Sequence, residues 1–125
     1  MFYLSLFCIL NRTYSLKRHK EFRYTYRNGK RVNSACFTLI SVKNRTDKLQ
    51  VGFSVSKKIG NAVRRNRCKR RLKACFAGLL PVVREGSNLI FVAKKEALSV
   101  RFSDMQDLML KAIKKAGLYL SETVL

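Results

Sequence analysis

Apolar positions along the chain recur first at helical and then at strand spacing. Leu16–Tyr26 reads LKRHKEFRYTY, in which Leu16, His19 or Lys20, Phe22 or Arg23, and Tyr26 lie three or four apart. That spacing predicts a helix with Phe22 and Tyr26 on one face at i, i+4. Asn28-Gly29 is predicted to stop it, and Gly29–Ser34 reads as a polar loop. Ala35–Val42, ACFTLISV, is rich in β-branched and aromatic residues and predicts a strand. After the polar turn Lys43–Lys48, the run Leu49–Ser56 alternates cleanly. Leu49, Val51, Phe53 and Val55 fall on one face, and Gln50, Gly52, Ser54 and Ser56 on the other. The apolar face meets a core; the small, polar face suits a floor that a ligand can approach closely. An antiparallel hairpin of these two strands is expected.

A second helix is predicted from about Asn61 to about Leu80, ended by Pro81. At about 100° per residue, Cys68, Leu72, Cys75, Phe76 and Leu79 form one apolar stripe. Arg65 lies near that stripe one turn earlier, where it can reach along the sheet edge, while Asn66, Arg67, Arg70 and Lys73 spread over the outward side. Arg84–Asn88 reads as a loop and Leu89–Ala93, LIFVA, as a strand buried on both faces. Ser103-Asp104-Met105-Gln106 matches a capping box. It opens a last helix with Leu108, Met109, Ala112, Ile113 and Ala116 on its apolar face and Gly117 as its C-cap. The expected fold class is α+β: one small domain, α-β-β-α-β-α, with helices packed on a single sheet. Its expected limits are 16–118, preceded by an apolar extension at 1–15 and followed by a tail at 119–125.

The run Met1–Leu10, MFYLSLFCIL, is too short to span a bilayer, and no positive charge precedes it as a secretory signal requires. It is read as an extension covering apolar surface or as an upstream start, not as a membrane anchor.

Charge changes the picture most. The 125 residues carry 27 Lys and Arg against seven acids, a formal charge of +20, so nucleic acid is the expected partner before an acidic protein or a membrane surface. The charge is concentrated. Lys57, Lys58, Arg64, Arg65, Arg67, Lys69, Arg70, Arg71 and Lys73 fall within one stretch that contains no Asp or Glu. Solvated helices interleave Glu with Lys; a run of one sign needs a polyanion, and Arg over Lys favours forked phosphate contacts and stacking on bases. Phe22 and Tyr26, set among Lys17, Arg18, Lys20, Arg23 and Arg27, read equally as core residues or as a stacking platform for unpaired bases. Asn66 is either a tolerated surface residue or an amide that contacts a sugar or base. His19 reads as an exposed helix residue adding at most a weak phosphate contact.

Catalytic chemistry is poorly provided for. There is no G-x-x-x-x-G-K-[ST] pattern, nucleophile–base pair or carboxylate dyad, and the seven acids lie in separate segments, ill suited to hold Mg²⁺. Cys8, Cys36, Cys68 and Cys75 form no C-x-x-C, and one histidine is available to help, so a zinc site is not expected. Reduced, partly buried thiols in a cytoplasmic protein are expected instead.

The segment Val51-Gly52-Phe53-Ser54-Val55-Ser56-Lys57-Lys58-Ile59-Gly60-Asn61-Ala62-Val63, followed by Arg65-Asn66-Arg67-Cys68-Lys69-Arg70, resembles the signature of the bacterial ribonuclease P protein component. Leu16-Lys17-Arg18-His19-Lys20-Glu21-Phe22 and the Tyr26…Gly29 spacing are similar to that family's first helix, and the resemblance runs from about Leu16 to Gly117. It implies a sandwich with a mixed sheet and a left-handed β-α-β crossover, similar to a domain of ribosomal proteins. It implies a subunit of the endoribonuclease that removes the 5′ leader of precursor tRNA, in which a catalytic RNA does the chemistry with Mg²⁺ and the protein supplies affinity and placement. Lys57, Lys58, Arg64, Arg65, Asn66, Arg67, Lys69, Arg70 and Lys73 would meet the catalytic RNA. Phe22, Tyr26, Arg18, Ser54 and Ser56 would line a cleft for the single-stranded leader. Ile40 stands where the family often carries an aromatic. Dimerisation of the holoenzyme stays open. A structural ribosomal protein would share this size and charge but show no preference for leader-bearing tRNA; helix-turn-helix and zinc-finger spacings, which would favour DNA, are missing.

Overall fold

The computed structural model describes Leu16 and residues 19–120; Arg18 and the apolar run at the N-terminus lie outside them. The elements are α1 (His19–Asn28), β1 (Lys30–Asn33), β2 (Phe37–Lys43), β3 (Gln50–Ser54), α2 (Ala62–Ala77), β4 (Ser87–Ala93) and α3 (Phe102–Lys115). The α+β class holds, with one strand more than the sequence predicts. Lys30–Asn33, read as loop, pairs antiparallel with β2, Arg31 opposite Ile40 and Asn33 opposite Thr38. Its composition, KRVN, is that of an exposed edge, where charge blunts further pairing.

The expected hairpin does not form. The sheet order is β1-β2-β4-β3: β4 inserts between β2 and β3, antiparallel to the first and parallel to the second. Leu89, Ile90 and Phe91 are fully buried, and a run that apolar on both faces belongs at the centre of a sheet. The parallel pair β3–β4 is joined through α2, which makes the β-α-β unit.

Helices cover both faces. On one side α2 and α3 bury Cys68, Leu72, Cys75, Phe76, Met105, Met109 and Ile113 against Leu39, Val51, Leu89 and Phe91, the α2 stripe falling as its periodicity predicts. The Phe91 ring meets Phe37, Phe53 and Phe76 at centroid distances of 5.3, 5.6 and 5.2 Å, close enough for ring–ring attraction beyond area burial. On the other side α1 covers a smaller cluster of Leu16, Ile40 and Ile90, with Phe22 and Val92 at its border. A chain of polar contacts pins α1: Thr25 Oγ1 donates to the Glu21 carbonyl and accepts from Asn88 Nδ2, and Asn88 Oδ1 accepts from Asn44 Nδ2 at 2.9 Å.

The N-cap of the last helix falls two residues before the Ser103 of the expected capping box. Arg101 is its N-cap, without a side-chain cap bond, and Gln106 donates to the Cys75 carbonyl. It ends as expected: Gly117 has φ +75°, and the N–H groups of Gly117 and Leu118 donate to the carbonyls of Lys114 and Ile113, the paired bonds of a Schellman motif. Tyr119 and Leu120, assigned to the tail, are tied down. Tyr119 bridges Val83, and the Leu120 N–H donates to the Val82 carbonyl at 2.7 Å.

Cys36, Cys68 and Cys75 are free and fully buried. Burial pushes the Cys75 thiol up from 9.0 to about 12 and moves Cys36 and Cys68 the same way, because a thiolate is poorly solvated there. At pH 8 a thiol reagent is expected to leave all three unlabelled in the folded protein and to label them once it is unfolded. Since Cys75 keeps its proton longer folded than unfolded, its contribution to stability is complete below pH 9 and is lost progressively as the pH climbs toward 12. An alkaline melting series checks the sign.

Candidate nucleic-acid interface

Three segments meet at the free edge of β3. Strand β3 presents Gly52 and Ser54 on the α1 face and Val51 and Phe53 on the core face, as alternation requires. Gly52 is where α1 comes closest. A Cβ there would lie 2.8 Å from Phe22 Cε2 and 3.2 Å from Cδ2, so the missing side chain lets the Phe22 ring lie directly on the strand. Gly52→Ala is expected to cost about 1–3 kcal/mol of stability by overpacking. In a Phe22→Ala background that cost should vanish, a coupling that a double-mutant cycle measures.

From β3 the chain turns through a single 3₁₀ turn, Lys57–Ile59, which buries Ile59 and leaves Lys57 and Lys58 exposed. Gly60 then takes φ +145°, ψ −159°, a region essentially closed to other residues. Asn61 caps α2, its Oδ1 accepting from the Arg64 N–H at 3.0 Å. The cap is neutral and the first turn carries no acid, so the positive end of the helix dipole adds to the side-chain charge.

Between Phe22 and the start of α2 lies an open cleft of about 480 Å³. Phe22 forms one wall, Ser54 and Val55 the floor, and Arg65, Asn66 and Lys69 the other wall. The structure therefore joins two groups that the sequence separates, an aromatic ring and a set of cations. Arg65 is half-buried, and its Nε is enclosed without a hydrogen-bond partner. Arg64, Arg67 and Arg70 are exposed along the outer side of α2. Two cations of the run sit differently. Arg71 donates to the Val100 carbonyl, tying α2 to the segment before α3. Lys73 is half-buried, its ammonium pKa lowered first by desolvation and then by Lys69.

Other expected cleft residues lie apart from it. Ser56 is exposed at the head of the 3₁₀ turn, its carbonyl accepting from the Ile59 N–H. Tyr26 does not line the cleft; its ring carries the Arg31 guanidinium 5.0 Å from the centroid. Ile40 is fully buried under α1 and offers no surface to a ligand. Sequence reasoning missed Arg31 because its segment was read as loop, and missed Val55 because alternation put it on the core face. Among the described residues no three His, Cys, Asp or Glu side chains converge as metal ligands, and no helix is long and apolar enough to cross a membrane.

Comparison with known proteins identifies the family. The family model described as Ribonuclease P matches residues 10–117. A ribonuclease P protein component from Clostridium botulinum (strain Loch Maree / Type A3) is 35% identical over 105 residues, covering 83% of this chain and 95% of the relative. The RNase P protein structure from Staphylococcus aureus superposes with a TM-score of 0.75 at 28% identity, over 86% of this chain and 99% of that one. That from Thermotoga maritima gives 0.72 at 26%, over 81% and 96%. With a match across nearly the whole described domain, the chain belongs to the ribonuclease P protein family.

Proposed function

We propose that this chain is the protein subunit of the ribonucleoprotein ribonuclease P and acts in the cytoplasm on precursor tRNA, binding both the catalytic RNA and the single-stranded 5′ leader. The observation that carries the proposal is the cleft itself, a half-buried aromatic facing Arg65, Asn66 and Lys69 across a floor of small side chains. An unpaired leader suits it. Stacking and phosphate neutralisation hold single strands with little dependence on sequence. The exposed outer side of α2, with Arg64, Arg67 and Arg70, serves the catalytic RNA. Such contacts displace counterions, so assembly should weaken steeply with salt. The described residues do not suit a protein-held metal. In this reading Mg²⁺ is held by the RNA and the substrate, and the chain contributes placement and charge.

The test is cleavage of a precursor tRNA by a bacterial catalytic RNA at low Mg²⁺, with and without this protein, over a series of leader lengths. Stimulation that grows as the leader lengthens is the expected result. No stimulation by the folded protein would return the chain to general RNA binding of the ribosomal-protein kind.

A further inference from the structure

We infer that Arg31, laid on the Tyr26 ring at the β1 edge, is the outer clamp of a trough across the sheet and holds the leader nucleotides farthest from the cleavage site; this rests on the leader reading above. The trough follows from strand register. Ser54 lies opposite Val92, Val92 opposite Thr38, and Thr38 opposite Asn33, so the four share one face. It is the α1 face, and all four are at least partly exposed, whereas Gly52, Ile90 and Ile40 in the adjacent row are buried. A row of short side chains, polar except for Val92, thus runs from the cleft to β1 along the flank of α1. Three strand spacings make it about 14 Å long.

An aromatic with a cation stands at each end of this face, although on β1 the row itself ends at Asn33 and Arg31 ends the adjacent row. Phe22 faces Arg65 at the β3 end. One helical turn along the same flank, Tyr26 meets Arg31 at the β1 end. Arg31 pairs with Ile40 and so projects onto this face. It is preorganised: its Nη2 donates to the Tyr26 carbonyl at 3.1 Å while the guanidinium lies over the ring. A guanidinium held flat on an aromatic keeps its remaining donors and outer face available to a phosphate or a base. Arg27, one residue beyond Tyr26, is exposed. The acid of α1, Glu21, lies in the first turn of the helix, at the end away from Tyr26. Charge therefore favours a polyanion at this corner. Because the β3 end adjoins the helix assigned to the catalytic RNA, the strand reaching β1 is the leader's upstream part.

The test is equilibrium binding of precursor tRNAs to the reconstituted holoenzyme, with leaders lengthened one nucleotide at a time, at two salt concentrations. Wild type should gain affinity in two steps. Arg31→Ala should abolish the second, about tenfold, leave short-leader precursors and mature tRNA unchanged, and lower the salt slope for long leaders by about one phosphate. Arg31→Lys should recover the salt slope but not the full affinity, since an ammonium does not form the flat fork. Equal losses at every leader length, or none at any length in a variant that melts like wild type, would overturn the clamp while leaving the cleft standing. A wild-type holoenzyme indifferent to leader length would overturn both.

Discussion

Replacing Arg64 and Arg67 together with alanine should weaken assembly with the catalytic RNA by about 3–6 kcal/mol, roughly two to four decades in affinity, if each holds one charge-assisted phosphate contact. The fold should survive. Arg64 and Arg67 are both exposed, neither belongs to the buried stripe of α2, and the Asn61 cap accepts from the Arg64 backbone N–H, which alanine keeps. Removing two phosphate contacts should also reduce the salt slope of assembly by about two. That second readout separates a lost contact from a general loss of structure, which would lower affinity without a defined change in slope. Titration of the labelled catalytic RNA at several salt concentrations, beside a thermal melt, gives both numbers. An unchanged slope with full folding would mean that the basic run of α2 is solvated surface.

The parts of the fold that were legible in the sequence are those fixed by local periodicity. The apolar stripe from Cys68 to Leu79 repeats at helical spacing and is buried as that spacing requires. The alternation from Leu49 to Val55 likewise sends Val51 to one face of β3 and Gly52 to the other. What failed was order within the sheet. Two strands close in sequence make a hairpin by default, and nothing in β2 or β3 announces that β4 will come between them. The clue was in β4: LIFVA is apolar at every position, which an edge strand with one solvated face does not tolerate. The strand Lys30–Asn33 was missed for the complementary reason, since a polar edge strand has the composition of a loop.

The candidate site was half legible. A run of cations without acids is a charge statement, and it needs no coordinates. The cleft does need them, because it depends on Phe22, β3 and the start of α2 converging from segments some thirty to forty positions apart. Helical spacing put Phe22 and Tyr26 on one flank but could not say that Phe22 ends on Gly52 while Tyr26, one turn further, ends beneath Arg31. Spacing shows which residues are neighbours on a helix; packing decides what each one faces.

Phe22→Ala should therefore act on substrate choice more than on assembly. If an unpaired base stacks on this ring, the preference for precursor over mature tRNA should fall by about 1–3 kcal/mol, roughly 5- to 150-fold. Affinity for the catalytic RNA, proposed to dock on the outer side of α2, should change little. A stability cost is also expected, because the ring borders the cluster of Leu16, Ile40 and Ile90. Phe22→Leu sets a control that keeps apolar volume at that border while removing the flat face. The ring is half-buried, so the leucine variant should regain most of the stability and little of the preference. Binding of matched precursor and mature tRNAs to each holoenzyme, with the free proteins melted in parallel, reads the two effects separately. Equal losses for both tRNAs would remove the stacking role and leave Phe22 as the residue that holds α1 against the sheet.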